Sequence, residues 1–307
     1  MKVNFRVPGL ITRTQSGFFT VKTKEGTLVC QLRGRLKQGA REGDIAAIGD
    51  RVQVTRTDAN TGLIEEIEPR ERMISRMAPT PRGEYRQIII ANPDQIVYVF
   101  ACADPEPRMR MLDRFLVTAE EQDVPPLIVA NKVDLIGIEE AHQLFNHYEK
   151  VGYPVLYTSA KSGYGINHLH ERLTGKISAL AGPSGAGKSS LLNALQPGLG
   201  LEVKAVSQAT GKGIHTTVFS EMFPLRGGGY VADTPGLKAL ALWDIEPEEL
   251  DGYFPEIRRR VADCQFSDCT HVHEPGCAVK EAVKQGEIHP ERYESYVRMR
   301  LEEQENE

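Results

Sequence analysis

The chain has 307 residues, 40% of them hydrophobic and 26% charged, with five cysteines and a formal net charge of −5. That length suits two or three domains, and the composition is that of an ordinary globular protein. No run approaches the roughly 18 apolar residues of a membrane-spanning helix, and the opening residues lack the apolar block of a secretory signal, so a cytoplasmic protein with no membrane role is expected. The odd cysteine count argues against a disulfide framework. Charge is distributed unevenly: residues 1–57 hold eleven Lys/Arg against four Asp/Glu, which leaves −12 on the remainder. A basic module on an acidic protein suits an electrostatic partner such as nucleic acid.

Residues 1–72 read as β structure. Segments 18–23 and 27–32 flank Lys24-Glu25-Gly26 as a hairpin, residues 51–55 alternate strictly, and Gly62-Leu63-Ile64 opens another strand. Short strands with glycine turns predict a small barrel of the OB type. Between them lies a basic, aperiodic loop, Arg33-Gly34-Arg35-Leu36-Lys37-Gln38-Gly39-Ala40-Arg41, whose cations could lie along phosphates. From about residue 87 continuous apolar runs begin. Ile88-Ile89-Ile90-Ala91 and residues 95–101 read as strands buried on both faces. Helices are predicted at 109–122, 138–150, 166–174 and 187–195, alternating with strands at 126–130, 154–157 and 176–181. That alternation means an α/β domain with a mainly parallel sheet, placed at 73–240. Residues 241–307 read as mostly helical, with an acidic, frayed end.

The phosphate chemistry sits at Gly182-Pro183-Ser184-Gly185-Ala186-Gly187-Lys188-Ser189, which satisfies G-x-x-x-x-G-K-[ST] between a strand and a helix. Glycines let successive N–H groups turn toward phosphate oxygens, and the helix N-terminus adds partial positive charge. Lys188 is expected to reach the β/γ-phosphates and Ser189 to ligate Mg²⁺. Asn131-Lys132-Val133-Asp134 selects the base: Asp134 can accept two hydrogen bonds from guanine, for which adenine has no matching donors. Lys132 can lie along the base, and Asn131 can tie this turn to the phosphate loop. Thr158-Ser159-Ala160-Lys161 follows the next strand, with an amide near Ala160 expected to face the guanine O6. Asp233-Thr234-Pro235-Gly236 suits a Mg²⁺-water ligand followed by a γ-phosphate-sensing glycine. In Gly211-Lys212-Gly213-Ile214-His215-Thr216-Thr217, a threonine could close over Mg²⁺. Near the end, Cys264, Cys269, His271 and Cys277 make a four-ligand set for one structural Zn²⁺, with His271 favoured over His273.

These motifs resemble the GTPase superfamily, but in permuted order. In ordinary members the phosphate loop comes first; here the N-K-x-D and S-A-K motifs precede it and Asp233–Gly236 is last. Joining the old termini and cutting elsewhere leaves the same sheet. The permuted order, the OB-like N-terminus and the Cys/His cluster together resemble the RsgA family. Its marks here are 131–134, 182–190 including Ser190, 211–217, 233–236 and the cysteine cluster, so the resemblance covers nearly the whole chain. One departure is Ile214, where the family usually carries Arg. The resemblance implies a GTPase of small-ribosomal-subunit assembly. Its OB and zinc domains would contact ribosomal RNA, GTP would favour the bound state, and subunit-stimulated hydrolysis would release the protein. A monomer is expected. Leu237 stands where many GTPases carry a water-orienting glutamine, so slow intrinsic hydrolysis is expected. His215 is the internal candidate for positioning water, or is simply a loop residue. Other readings are a GTP-regulated RNA-binding module, a tRNA-acting GTPase, and a phosphate-loop ATPase or kinase.

Overall fold

Inward-apolar alternation dominates the N-terminal strands β1 (Arg6–Gln15), β2 (Phe18–Thr23), β3 (Gly26–Leu32), β4 (Arg51–Arg56) and β5 (Thr61–Ile67). In β3 it buries Leu28, Cys30 and Leu32. The computed structural model describes residues 6–37, 43–80, 83–197, 220–233 and 245–301. Pairing runs β1-β2-β3-β5-β4 and closes β4 back onto β1, with β3 and β5 parallel, which is the OB barrel. β1 is a strand beyond those expected from the sequence, where Pro8 and Gly9 interrupt the alternating pattern. Gly9 is needed where β1 crosses β2: an added Cβ would lie 2.4 Å from Val21 Cγ1.

Ile88–Ala91 are buried in a strand, as expected, but not in the central sheet. They belong to β7 (Gly83–Ala91), which pairs with β6 (Met73–Thr80) as a separate antiparallel ribbon.

The central sheet has the order β10-β9-β8-β11-β13-β12, where β8 is Gln95–Ala101, β9 Pro126–Asn131, β10 Val155–Thr158, β11 Ile177–Ala181, β12 Ser220–Pro224 and β13 Tyr230–Asp233. All are parallel except β12. Period-two alternation divides its side chains between two layers. Tyr98, Phe100 and Ile128 pack under α1 (Met109–Glu121) and α2 (Ile138–Val151); Val97, Val99 and Val129 pack under α3 (Ile166–Leu173) and α4 (Lys188–Leu195). The outer edge of β12 pairs with β1 through Thr14↔Ser220 and Arg13↔Glu221, so barrel and central domain share one eleven-stranded sheet.

The C-terminal segment comprises a 3-10 turn (Pro247–Tyr253), α5 (Pro255–Val261), α6 (Ala278–Lys284) and α7 (Pro290–Arg300). Its small core of Leu250, Phe254, Ile257, Val279 and Tyr296 also takes in Val117 from α1. Across this junction Arg292 is 1% exposed and bonds Asp113 Oδ1 at 2.7 Å and Glu256 Oε1 at 2.8 Å, over the Phe254 ring. Tyr148 donates to the same Asp113 oxygen at 2.8 Å. Burial works against the guanidinium charge, but Asp113 and Glu256 more than offset it. No described helix is long and apolar enough to cross a membrane. Removing one member of a buried ion network leaves the others desolvated and unpaired. Arg292→Ala is therefore expected to cost about 3–5 kcal/mol, read as a lower denaturation midpoint. Replacing Arg292, Asp113 and Glu256 together by apolar residues should recover most of that loss; an unchanged midpoint in Arg292→Ala would contradict this account.

Candidate active site and metal centre

Among the described residues, the expected nucleotide motifs meet at one edge of the sheet. The phosphate loop follows β11, Asn131 ends β9 with 132–134 just beyond it, Thr158 ends β10 with 159–161 just beyond it, and Asp233 ends β13. Carboxyl ends of parallel strands at the point where strand order reverses form the natural ligand crevice of such sheets.

Asn131 holds the loops together. It is 1% exposed; its Nδ2 donates to Ala186 O in the phosphate loop at 2.9 Å. Its Oδ1 accepts from Thr158 Oγ1 at 3.2 Å and from the Ala160 N–H at 3.3 Å. The Ala160 amide, expected to face the guanine O6, is thus directed at Asn131 by a long bond. Gly187 makes the approach possible: at φ +92° an added Cβ would lie 2.4 Å from Asn131 Nδ2. Asp134 is exposed, and Ser159 Oγ donates to its Oδ1 at 2.5 Å, which orients the carboxylate and leaves acceptor capacity on both oxygens. Val133 is buried beneath the turn, and the Lys161 side chain is exposed. Lys132 adopts a left-handed backbone (φ 66°), and its ammonium donates to Asp104 O in the loop after β8.

In the phosphate loop, Lys188 Nζ donates to Gly182 O and Pro183 O at 2.7 Å each, anchoring the ammonium over the loop. Gly182, Gly185 and Gly187 all have positive φ, so the curl required for converging N–H groups is present. Ser184 is exposed, while Ser189 and Ser190 are half-buried in the first turn of α4. His215, Thr216, Thr217 and Gly236 lie outside the described residues.

The second cluster is in the C-terminal segment. Ligand atoms of Cys264, Cys269, His271 and Cys277 lie within 4.8 Å of one another. His271 Nδ1 is 3.5 Å from both Cys264 Sγ and Cys277 Sγ, and those sulfurs are 4.0 Å apart. Tetrahedral Zn²⁺, with Zn–S of about 2.3 Å and Zn–N of about 2.0 Å, needs S···S edges of roughly 3.8 Å and S···N edges of roughly 3.5 Å. The donor set fits that ion. Burial pushes the Cys269 thiol up to about 12, a cost that a divalent cation would reverse by holding thiolates. His271 Nε2 faces Asp251 Oδ2 at 3.4 Å, the carboxylate–imidazole pairing typical behind a metal ligand. Asp251 carried no signal in the sequence, since it lies on the preceding turn. Glu274 shapes the ligand loop by accepting the Thr270, Val272 and His273 N–H groups and the Thr270 hydroxyl. Burial alone would raise its carboxyl, but these bonds hold it down at about 2. His273 is exposed and outside the cluster.

The basic loop is partly committed. Arg33 Nη1 lies 2.5 and 2.7 Å from the two oxygens of buried Glu65, and Arg35 Nη2 donates to Glu65 O at 2.9 Å. Both arginines keep more than half their side-chain surface exposed (54% and 57%), and Lys37 is exposed. Replacing Arg33 would leave the buried Glu65 carboxylate with only Arg35, 3.8 Å away, as well as remove a surface charge. Gln38, Gly39, Ala40 and Arg41 lie outside the described residues.

The sequence matches the family described as RsgA GTPase over residues 67–243, and the RsgA N-terminal domain over residues 8–64. The chain belongs to the RsgA GTPase family. It is 46% identical over 298 residues to the small ribosomal subunit biogenesis GTPase RsgA of Gemmatimonas aurantiaca, covering 96% of each chain. The RsgA of Thermotoga maritima is 41% identical over 302 residues, 97% of each chain. Among solved structures, YjeQ from Thermotoga maritima superposes with a TM-score of 0.79 at 39% identity, covering 97% of this chain and 98% of that one. YloQ, described as a circularly permuted GTPase, gives 0.76 at 32% identity, with coverages of 98% and 96%. Membership makes the protein a GTP hydrolase with permuted motif order.

Removing the Asn131 carboxamide would break up to three buried bonds worth about 0.5–1.5 kcal/mol each. Asn131→Ala is therefore expected to weaken GDP affinity about tenfold or more in a fluorescence titration, and unchanged affinity would show that the three loops hold together without it.

Proposed function

We propose that this protein binds the small ribosomal subunit through ribosomal RNA and acts in its late assembly, hydrolysing GTP slowly alone and faster on the subunit. Three parts divide the work: an RNA-binding barrel (1–72), a GTPase domain (73–240) and a zinc-bearing helical domain (241–307). One chain carries every motif, so a cytoplasmic monomer suffices. The observation that carries the nucleotide reading is Asn131, which ties the base-selecting turn to the phosphate loop. The names of the relatives support the choice of ribosomal partner.

In this reading Asp134 accepts the guanine N1–H and exocyclic amine, with Ser159 orienting it. Lys132 flanks the base, and the guanine O6 competes with Asn131 for the Ala160 N–H. The amides of 183–190 and the Lys188 ammonium hold the phosphates. Ser189, Thr216 or Thr217 and, through water, Asp233 would hold Mg²⁺, which offsets charge on the phosphates. Gly236 would sense the γ-phosphate, and His215 would position water. Cys264, Cys269, His271 and Cys277 would hold one Zn²⁺ that staples a domain with a small core.

The metal reading predicts one zinc per chain by elemental analysis, and a lower melting temperature after chelation. Asp251→Ala should lower zinc affinity about 10–100-fold while leaving the four ligands in place; a metal-free wild-type protein, as purified without chelator, would overturn it. The functional reading is tested by GTP turnover of the protein alone, with small subunits and with large subunits. Stimulation by small subunits only is expected. No stimulation by either, with tight GTP binding intact, would instead favour a nucleotide-switched RNA-binding or tRNA-acting protein.

A further inference from the structure

A cavity of about 570 Å³ opens where the loop after β8, helix α2 and the start of α7 meet. That volume is ligand-sized. Its charge is one-sided: Asp104, Glu106, Glu140 and Glu291 line it, and no Lys or Arg stands among its described lining residues. None of these four side chains has an ion-pair partner among the described residues. Glu140 and Glu291 stand in the first turns of α2 and α7, where a carboxylate favours the helix end. That accounts for each acid singly. It does not account for acids from three separate elements converging on one hollow without a cation.

An independent observation in the same cavity points to a ligand. His147 lines it and is only 6% exposed, yet its Nε2 has no hydrogen-bond partner. Such atoms are rare in folded proteins and call for an explanation. His289, the N-cap of α7, stacks on the ring with centroids 4.3 Å apart, a contact that does not satisfy the nitrogen. Burial, with His289 and Arg292 nearby, holds His147 down at about 3, so the ring is neutral at pH 7. It adds no positive charge to the cavity, and a neutral imidazole can accept an N–H. The walls are partly apolar, with Met109, Ile136 and Leu144 half-buried. Anionic ligands are repelled by such a lining. Among the described residues, only the Cys264, Cys269, His271 and Cys277 group brings its ligand atoms close enough for a metal ion. What fits is a flexible cation with several N–H donors and a methylene chain, since aliphatic stems lie along apolar walls while their charged ends stay at the rim.

We propose that this cavity binds a linear aliphatic polyamine, with its ammonium groups on Glu106, Glu140 and Glu291, its methylenes along Met109, Ile136 and Leu144, and His147 Nε2 as the interior acceptor. The site goes beyond the ribosomal reading above and does not depend on it. Its position gives the occupant a consequence. The loop after β8 is bonded to the base-selecting turn at two points: the Cys102 N–H donates to Asn131 O at 2.8 Å, and Asp104 O accepts from the Lys132 ammonium. His289 and Glu291 belong to the C-terminal segment. A polyamine on these carboxylates therefore holds the base-selecting side of the GTPase domain against α7.

The test is calorimetric titration of the full chain with spermidine, at physiological ionic strength and with Mg²⁺ in excess, so that diffuse attraction to an acidic protein is screened. One saturable site per chain is expected. The double variant Glu140→Gln, Glu291→Gln keeps side-chain shape and removes two charges from the cavity. Losing two charge-assisted bonds should weaken spermidine binding about tenfold or more, while GDP affinity and melting temperature stay near wild type. The control Glu139→Gln, Glu171→Gln removes the same charge from exposed positions outside the cavity and should bind spermidine as wild type does. Absence of a saturable site overturns the proposal, as does an equal loss in both double variants. Tetralysine binding more tightly than spermidine would also overturn it, by making the occupant the lysines of a partner chain instead of a free polyamine.

Discussion

A buried carboxamide cannot be left half-satisfied, and that constraint organises the nucleotide site. Asn131 has no water to fall back on, so its NH₂ and carbonyl must be met by the phosphate loop, by Thr158 and by the Ala160 amide. Asn131 ends β9, and those partners lie at or just after the ends of β10, its neighbour in the sheet, and β11, which β8 separates from β9. Losing one contact leaves a desolvated dipole, so the three loops hold position as a unit. Gly187 and Gly182 serve the same arrangement from the backbone side: a side chain at either would collide with Asn131 or with Val99 O.

Circular permutation leaves this arrangement intact because the contacts depend on strand position and not on chain order. Thr174-Gly175-Lys176 is all that joins α3 to β11. The joint is held by the Gly175 N–H to Gly228 O at 3.0 Å and the Tyr230 N–H to Lys176 O at 2.8 Å. The short turn is sterically specific: a Cβ on Gly229 would meet Lys176 O at 2.6 Å. What permutation changes is the neighbourhood of the switch strands. β12 is bonded on one edge to β13, the strand that ends at Asp233, and on the other to β1 of the barrel. A shift of β12 relative to either neighbour must break or drag ladder bonds, so the barrel and the phosphate end of the site are mechanically connected.

The parts legible in the sequence were those written in local pattern. Period-two strands, 3.6-period helices, the phosphate loop with its strand–loop–helix context, and the Cys/His spacing all depend on near neighbours. β1 was hidden because its Pro8 and Gly9 serve a barrel crossing that only the folded chain contains. Ile88–Ala91 gave the right burial but the wrong sheet, since an apolar run says that both faces are covered and not by what. Asp251 behind His271, and Glu65 beneath Arg33, were invisible because each contact joins separate segments. The basic loop has cations that could lie along phosphates, and the fold shows that two of them, Arg33 and Arg35, also neutralise buried Glu65.

Helix α1 belongs to two structures at once. Phe115 and Leu116 face the central sheet, while Val117 enters the C-terminal core and Asp113 anchors buried Arg292 of α7. At its N-terminus the same helix presents Arg108 beside the phosphate loop. Since the Arg292 network is desolvated and charged, the C-terminal domain cannot slide along α1 by small steps without exposing an unpaired charge to a low-dielectric interior. The helix and that domain therefore move together or separate altogether. A displacement of α1 would thus be passed as a rigid movement to the domain that carries the Cys264, Cys269, His271 and Cys277 cluster, through a contact whose strength comes from the penalty of breaking it.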